Sequence, residues 1–330
     1  MNVQKITAGL LAGVLAFAGC AVCPAGFDTA IIASAETNGT YQSLNYTLYD
    51  DHVTITGFDN SVATLEIPAK IEGVPVTEIG KSAFSGATRL KSLTMPDTIT
   101  TIGESAFADC TALETLKLSE SLKTISAYSF QKCTSIKELV LPDSVSTIGE
   151  RAFQYCSSLE EIHLSKYLDH IESWAFYSCG ALTELDFPEG MKNSGQNICE
   201  NCTNLRSVNY ANGPSEIAYG AFEGCTSLEE LYIPISVTKI GADSLYRTSI
   251  KNVYYAGSPS QWAAINNSTT DYLRNATIHY GQPNPPKKVT ADVNADGTIN
   301  ASDAALILIY AAYVGAGGTD DIATYLSSRK

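Results

Sequence analysis

A 23-residue repeat organises most of this chain and restricts its fold more than any other feature. One slot of the repeat holds phenylalanine in six units, at Phe84, Phe107, Phe130, Phe153, Phe176 and Phe222. Cys199 and Leu245 hold two further positions of that slot, and isoleucine keeps a second slot from Ile79 to Ile240, with Ser194 as the exception. A unit this short cannot bury its apolar face alone, so neighbouring units must stack into one continuous core.

Each unit also carries a short apolar pattern of the form L-x-x-L-x-L, as in Ile136-x-x-Leu139-x-Leu141. Alternation over the last three positions predicts a strand with one buried face. Nine such strands can be counted, from Leu65-x-Ile67 to Val253-x-Tyr255. The unit length and the pattern lie in the range of leucine-rich repeats.

Units such as LPDSVSTIGERAFQYCSSLEEIHL resemble the BspA-like bacterial leucine-rich repeats. Residues 44–80 resemble the N-terminal hairpin cap of that family, and residues 253–281 resemble its C-terminal cap, with Trp262 sealing the last unit. The resemblance covers roughly residues 40–281. It implies an α/β-type repeat solenoid, capped at both ends, that serves as a secreted or surface-displayed, non-catalytic binding scaffold. The expected boundaries are 36–78 for the N-terminal cap and first unit, 79–252 for the repeats and 253–281 for the C-terminal cap.

Six cysteines share one slot of the repeat, and one of them belongs to a C-x-x-C pair. A spacing of about one strand, roughly 4.8 Å, permits disulfides between neighbours. Leucine-rich repeats place Asn or Cys just beyond the strand, where a small buried side chain supports the turn, and this favours reduced, buried thiols. Cys199 and Cys202 lack the βαβ context of a redox motif and the second cysteine pair of a zinc site. Cys199 fills the phenylalanine slot and Cys202 the cysteine slot, so the C-x-x-C spacing is interpreted as a coincidence of two repeat slots. The slot is held by Cys110, Cys133, Cys156, Cys179, Cys202 and Cys225.

The outward strand positions form two columns, in which a ligand surface is expected. Glu138, Glu161 and Glu184 fall on successive units, about 5 Å apart. This nearly equals the carboxylate separation of retaining glycosidases, but an open face lacks the desolvated pocket that such catalysis needs. Stacked carboxylates repel, so a cationic partner or a calcium ion would stabilise them. Candidate partner-binding residues on these columns are Glu138, Glu161, His163, Glu184, Asp186, Glu230, Tyr232 and Tyr254.

The two tyrosines of that set, Tyr232 and Tyr254, can stack on a sugar or anchor a protein contact. The four histidines, at positions 52, 163, 170 and 279, lie far apart in the sequence and form no evident metal or catalytic cluster. We therefore expect no enzymatic site, and the ligand of the repeats is an unidentified protein or polysaccharide.

The segment DVNADGTINASD, residues 292–303, has the spacing of a calcium loop. Calcium takes six to eight oxygens, and a twelve-residue loop supplies them from positions 1, 3, 5, 7, 9 and 12, with glycine at position 6 for the sharp turn. Gly297 holds position 6, and the loop ends in Asp where an EF-hand has Glu. One Ca²⁺ site is predicted, with the ligands Asp292, Asn294, Asp296, Thr298, Asn300 and Asp303.

The loop and the apolar helix expected to follow it, residues 301–314, resemble the dockerin module of cellulosomal proteins. The resemblance implies a small α-helical, EF-hand-like module over residues 291–330, after a Pro-rich linker at 282–290, that binds the cohesin domain of a scaffoldin. A full dockerin has two calcium loops and this chain has one, so the segment resembles the closing half alone. The family's recognition positions fall at Ala301, Ser302, Leu308 and Ile309.

Residues 1–35 read as a secretory signal, with Lys5 before an apolar stretch and an A-x-A end at Ala35. Lipid attachment at Cys20 and a membrane anchor are the alternatives, and no later segment is long and apolar enough to cross a bilayer. The net charge of −14 argues against nucleic acid and anionic membranes, which need basic patches.

Three functions remain open from the sequence. The first is a secreted, cellulosome-associated interaction protein docked through its calcium-dependent tail. The second is a free cell-surface adhesin whose calcium loop is only a structural end cap. The third, an enzyme acting on polysaccharide, lacks an identifiable site.

Overall fold

A computed structural model describes residues 36–267 and 271–281 of the 330-residue chain. The predicted signal at 1–35, the linker at 282–290 and the calcium module at 291–330 lie outside these residues. In chain order the elements are β1 Thr37–Tyr41, β2 Leu44–Leu48, β3 Val53–Phe58, β4 Thr64–Glu66, β5 Lys70–Ile71, β6 Val74–Ile79, β7 Ser92–Thr94, β8 Thr101–Ile102, β9 Thr115–Lys117, β10 Thr124–Ile125, β11 Glu138–Val140, β12 Thr147–Ile148, β13 Glu161–His163, β14 His170–Ile171, β15 Glu184–Phe187, β16 Asn193–Ser194, β17 Ser207–Tyr210, β18 Glu216–Ile217, β19 Glu230–Ile233, β20 Lys239–Ile240, β21 Asn252–Tyr255, α1 Pro259–Ala263, β22 Asn266–Asn267 and β23 Thr277–Tyr280.

The repeats build a solenoid in which each 23-residue coil, here called a rung, contributes one strand to each of two sides. On one side, here called the strand face, β4, β7, β9, β11, β13, β15, β17, β19, β21 and β23 follow one another with parallel pairing in three groups. On the second side the two-residue strands β8, β10, β12, β14 and β16 continue the sheet begun by β6, and β18, β20 and β22 form another. The predicted repeat solenoid is therefore confirmed.

The N-terminal end is an antiparallel meander of β1, β2 and β3. It joins the second side because β3 pairs in parallel with β6. This is the position at which the sequence resemblance predicted a hairpin cap. At the other end, Trp262 on α1 packs against Tyr255 of the last repeat strand, with ring centroids 5.3 Å apart.

The α/β classification was wrong for the described residues, since α1 is their only helix and it lies in the C-terminal cap. The connections are tight turns with two residues of positive φ in each rung, four positions apart, as at Tyr128 (58°) and Lys132 (58°). Side chains other than glycine reach this left-handed conformation at a cost of about 1–2 kcal/mol. Two such residues per turn segment prevent the chain from completing an α-helix.

The core is a set of parallel columns running from rung to rung. The phenylalanine column stacks nearly face to face, with centroids 5.2 Å apart for Phe107 and Phe130 and 5.4 Å for Phe130 and Phe153. The isoleucine column is the buried residue of the second-side strands, for example Ile102 and Ile125, which are both fully buried. Each column is buried only because the next rung covers it, as the repeat length predicted.

One rung departs from the phenylalanine column, because Cys199 occupies that slot and is fully buried. The buried ring of Tyr210 lies beside it, 4.4 Å from the ring of Phe187 and edge-on to Phe222 at 6.1 Å. Burial and the neighbouring Cys199 both raise the pKa of the Tyr210 hydroxyl. The large ring of Tyr210 thus occupies the volume that the missing phenylalanine leaves.

Candidate functional site

The strand face presents alternate side chains to solvent, because the intervening residues are buried in the core. Leu139 and Ile162 point inward and are 2% and 6% exposed, whereas the residues on either side of them point outward. The parallel registers keep each outward slot in line from rung to rung. The first outward column is Ser92, Thr115, Glu138, Glu161, Glu184, Ser207, Glu230, Asn252 and Thr277; the second is Thr94, Lys117, Val140, His163, Asp186, Asn209, Tyr232, Tyr254 and His279. Among these residues Asn209 is buried, with an exposed fraction of 7%.

The centre of the strand face is acidic. Glu138 and Glu161 are directly opposite one another on β11 and β13, and their side chains are 65% and 48% exposed. Nε2 of His163 lies 3.3 Å from Oε1 of Glu161 and 3.9 Å from Oε1 of Glu138. A protonated imidazole at this position offsets part of the repulsion between the two carboxylates. Glu184 and Asp186 continue the columns on β15.

This acidic group has the geometry of an open surface. Acid–base catalysis by two carboxyl groups needs one of them to be desolvated so that the two take different protonation states. Glu138 and Glu161 are both well exposed and lie opposite one another on the parallel strands β11 and β13. Their arrangement is therefore suited to binding a basic side chain.

A row of stacked rings occupies the C-terminal end of the second column. Tyr232 and Tyr254 are parallel within 9°, with centroids 4.5 Å apart, and Tyr254 and His279 are parallel within 13° at 4.7 Å. The hydroxyl of Tyr232 donates to Oε2 of Glu230 at 3.2 Å. Partial burial, and then Glu230, raise the pKa of Tyr232. We call Tyr232, Tyr254 and His279 the aromatic row.

The stacking decides which part of each ring is available. A sugar stacks on the face of an aromatic ring, but both faces of Tyr254 are covered by its neighbours in the row. The edges remain for contact, as in protein interfaces, where tyrosine combines a large apolar area with a polar tip. Tyr254, in the middle of the row, therefore offers its ring edge and not its ring face to a partner.

Sequence reasoning missed His279 because it missed the tenth strand of the strand face, β23. The nine predicted strands are present, and β23 pairs in parallel with β21, bringing His279 opposite Tyr254. The alternation in Thr277-Ile278-His279-Tyr280 was the available signal. It follows β21 by 25 residues in place of 23, because the C-terminal cap intervenes.

The other histidines lie in separate places. His52 stacks on Tyr49 at 4.5 Å and contacts Asp51 at 2.7 Å. His170 lies on the second side, with Nδ1 3.4 Å from the side-chain nitrogen of Asn193. Within residues 36–267 and 271–281, no three His, Cys, Asp or Glu side chains are grouped closely enough to hold a metal ion.

The cysteine column is buried, as predicted, and each thiol donates to the carbonyl oxygen of the phenylalanine slot one rung earlier. Cys156 Sγ lies 3.1 Å from the Phe130 oxygen, and burial raises the pKa of this thiol to about 12. Burial likewise raises the pKa of Cys199 well above its ordinary value. Protonated, inaccessible thiols are poor nucleophiles and poor metal ligands, which supports the interpretation of the C-x-x-C pair as a coincidence of two columns.

The expected position of these cysteines was wrong. They precede the strand of their rung, as Cys110 precedes β9, and do not follow it. The backbone N–H of Cys110 donates to the Phe107 oxygen, so the residue closes the turn that carries the phenylalanine. A small side chain is needed there because the slot lies under the next turn, next to the phenylalanine column.

A second group of large side chains, not among the residues predicted from the sequence, lies on the turns. Arg151 lies between two rings, 4.5 Å from Trp174 and 5.6 Å from Tyr128, and its guanidinium donates to the Tyr128 hydroxyl and to Glu150 at 2.6 Å. Tyr128, Arg151 and Trp174 share one repeat slot, so their 23-residue spacing was the available signal. The group stabilises adjacent turns by cation–π contact.

The predicted calcium ligands and cohesin contacts lie outside the described residues. These are Asp292, Asn294, Asp296, Thr298, Asn300 and Asp303 for calcium, and Ala301, Ser302, Leu308 and Ile309 for cohesin. In the part of the chain that the structure does describe, no helix has the length and apolar character that crossing a bilayer requires.

The repeats match a known sequence family. The profile described as BspA type leucine-rich repeat region matches in six copies, over residues 58–167 and 146–269. A leucine-rich repeat protein of T. pallidum is similar to this chain at 25% identity, over 66% of this chain and 86% of its own, with a TM-score of 0.45. A leucine-rich repeat protein of Bacteroides capillosus is 30% identical over 38% of this chain and 96% of its own, with a TM-score of 0.36. A leucine-rich cell surface protein of Faecalibacterium prausnitzii is 21% identical over 70% of this chain and 98% of its own, with a TM-score of 0.36. No curated protein matches the sequence.

Proposed function

Because the chain belongs to the BspA-type leucine-rich repeat family, we propose that it is an exported, non-catalytic scaffold that binds a protein partner on its strand face. The observation that carries the proposal is the pair of outward columns, in which an acidic centre leads into the aromatic row. Rigid strands hold these side chains in register, so little conformational entropy is lost when a partner orders them.

The partner expected for this surface is a protein that presents basic side chains. Glu138, Glu161, Glu184, Asp186 and Glu230 carry five negative charges on the strand face. Such a surface accelerates encounter with a basic partner and makes the affinity depend on salt concentration. The aromatic row then supplies the apolar contact that a charged surface lacks.

The test is capture of extracellular proteins by the full chain and by two charge-reversal variants. The first variant is Glu138→Lys, Glu161→Lys and Glu184→Lys. The matched control reverses three carboxylates on or just after the strands of the second side, Glu104, Glu172 and Glu216, so the net charge changes equally. We expect the first variant alone to lose the partner. Equal capture by both variants, or loss in both, contradicts the proposal.

For the tail we propose that residues 291–330 bind one calcium ion and dock the scaffold to a cohesin domain. The support is the near-complete ligand spacing of residues 292–303 after a Pro-rich linker, together with the likeness to the closing half of a dockerin. Calcium would order a loop that carries three aspartates, and the loop would then present Ala301 and Ser302 to the cohesin.

Cohesin capture by the full chain, with and without chelator, tests the docking proposal. The control variant is Asp292→Ala with Asp303→Ala, which removes the first and last ligands. Capture that needs calcium and both aspartates supports docking. Calcium binding without any cohesin capture favours the second candidate, a free surface adhesin in which the loop is a structural end cap.

A further inference from the structure

The strand face is interrupted between its third and fourth strands, β9 and β11. Elsewhere neighbouring rungs are joined on this face by backbone hydrogen bonds, such as Glu161 N–H to the Lys137 oxygen at 3.2 Å and Leu141 N–H to the His163 oxygen at 2.9 Å. The same two bonds one rung earlier would run from Glu138 N–H to the Glu114 oxygen and from Leu118 N–H to the Val140 oxygen. Both strands lie within the described residues, and no hydrogen bond of their backbones joins them.

The interruption is local to the strand face. On the second side the same two rungs remain paired, with Thr124 opposite Thr147. In the core, Phe107 and Phe130 remain stacked at 5.2 Å, and Cys133 Sγ still donates to the Phe107 oxygen. The strand ladder is also interrupted between β13 and β15. There, however, one backbone hydrogen bond still joins the two rungs, from Thr183 N–H to the Glu160 oxygen at 3.3 Å. The two rungs are therefore joined on the second side and in the core, and they are open on the strand face.

A groove of about 710 Å³ lies along this opening, lined by residues 114–118, 137–138 and 140–143 together with Glu120. Leu116 at its base is only half-buried, whereas its counterparts Leu93 and Leu139 are 0% and 2% exposed. The outward walls are formed by Thr115 and Lys117 on one strand and by Glu138 and Val140 on the other, and the Val140 side chain is 59% exposed.

Both walls of the groove present unpaired strand edges to the same space. By the alternation of a parallel ladder, the N–H and C=O of Leu116 point toward β11, and those of Glu138 and Val140 point toward β9. An extended peptide is the ligand whose own backbone supplies acceptors and donors to such edges at the strand repeat. A helix already pairs its own backbone groups and a carbohydrate chain has no backbone amides, so neither forms such a ladder.

The side chains define the peptide further. Glu114, Glu120, Glu138 and Asp143 lie around the groove together with Lys117 and Lys137. Glu114 also pairs with Lys91 at 3.8 Å, Asp143 pairs with Lys166 at 2.5 Å, and Lys137 contacts Glu160 at 3.9 Å. With these partners included, five carboxylates face four lysines, an excess of one negative charge. We propose that the groove between β9 and β11 binds an extended segment of a partner protein, with alternate small apolar residues covering Leu116 and basic residues facing outward. This is a second site, which recognises backbone groups, shares Glu138 with the outward columns and does not depend on the calcium tail.

Amide hydrogen exchange on the full-length chain tests whether the edges are open. The amides of Leu116, Leu118, Glu138 and Val140 should exchange at least ~100-fold faster than that of Leu141, whose bond to β13 is made. Protection of the first group at all protein concentrations would mean a closed ladder or occupation by this chain's own residues, and it overturns the proposal. Protection that grows with protein concentration identifies a second copy as the occupant and also overturns it.

Binding is tested with a fluorescein-labelled hexapeptide, Lys-Val-Lys-Val-Lys-Val, titrated into the full chain. The matched probe carries N-methyl groups on the alternate residues, which keep charge and side chains but remove the N–H donors of one edge. We expect the unmodified peptide to bind at least ~10-fold more tightly, since N-methylation removes ladder hydrogen bonds. Equal binding of the two probes, or no binding of either up to ~1 mM, overturns the proposal.

Two proline variants complete the test, since they change the same residue type in the same slot of adjacent rungs. Glu138→Pro removes an N–H that points into the groove, and Glu161→Pro removes an N–H already bonded to Lys137. We expect the unfolding midpoint of the Glu138→Pro variant to lie closer to that of the wild type than the midpoint of the Glu161→Pro variant does. We also expect the Glu138→Pro variant to bind the unmodified and the N-methylated peptide equally. A Glu138→Pro chain that folds and still discriminates ~10-fold contradicts backbone recognition in the groove.

Discussion

The replacement of phenylalanine by Cys199 provides the sharpest test of how the core is packed. If the ring of Tyr210 fills the missing volume, a phenylalanine side chain in place of Cys199 has no room while Tyr210 is present. Cys199→Phe alone should therefore overpack the rung and lower the free energy of unfolding by about 1–3 kcal/mol. Tyr210→Leu alone removes ring contacts with Phe187 and Phe222, which at about 0.5–1.5 kcal/mol each gives a loss of about 1–3 kcal/mol.

The double variant should recover most of this loss. The introduced phenylalanine ring would stand between Phe176 and Phe222 and restore two stacked pairs of the column, while leucine in place of Tyr210 matches Leu141 and Leu164 in the same slot of earlier rungs. Independent sites would give a combined loss of about 2–6 kcal/mol, since separate effects add. We expect the double variant to lie within about 1 kcal/mol of the wild type, because each substitution supplies the volume that the other needs.

The assay is urea unfolding followed by circular dichroism, with the free energy of unfolding obtained by linear extrapolation. The control cycle pairs Cys199→Phe with Leu141→Val, a core change more than one rung away, for which additivity is expected. If the Cys199 and Tyr210 effects add to within about 0.5 kcal/mol, the two side chains do not share a volume and the packing argument is refuted.

Three further predictions concern the buried thiols and the turn group. Burial raises the pKa of Cys156 from 9.0 to about 12, so the stability due to this thiol is fully present below pH 9 and falls as the pH rises toward 12, by about 1.4 kcal/mol per pH unit. Other buried thiols contribute to the same pH dependence. Cys156→Ala should therefore reduce the total slope of stability against pH, between about pH 9 and 11, by the share of this one thiol. The six repeat-slot thiols should resist a water-soluble disulfide reagent in the native chain and react fully in concentrated urea, and rapid reaction of the native protein would contradict their burial. Arg151→Ala should lower the free energy of unfolding by about 1–2 kcal/mol and shift the fluorescence emission of Trp174 to the red. The control Glu150→Gln leaves the contacts of Arg151 with Tyr128 and Trp174 in place, so it should preserve that emission.

The repeat signal predicted the strand face well because burial of one side enforces strict alternation. A slip of one residue would expose Leu139 and bury Glu138, so the sequence admits one register. The outward columns follow from that register alone, which is why Glu138, Glu161, Tyr232 and Tyr254 lie where the spacing predicted. The turns could not be predicted in the same way, since residues as different as Ser105, Arg151 and Trp174 hold the left-handed position in different rungs.

The aromatic row and the groove depend on contacts that repeat spacing does not report. His279 joins the row through a cap strand outside the 23-residue period. The opening at β9 occurs in a rung whose pattern, Leu113-x-x-Leu116-x-Leu118, is as regular as that of its neighbours. A regular sequence specifies which residues face the core, but it does not report which backbone hydrogen bonds join two neighbouring rungs.

The measurement that tests the central claim most directly is the salt dependence of partner affinity for the strand face. The dissociation constant of the purified partner would be measured by titration calorimetry between about 50 and 500 mM salt, for the full chain and the two charge-reversal variants. Exposed charges are screened over this range, so the wild type and the second-side control should share one steep dependence. The Glu138, Glu161 and Glu184 variant should bind at least ~30-fold more weakly at low salt, a loss of about 2 kcal/mol, with a shallower slope. Identical curves for all three proteins would show that the partner is bound elsewhere.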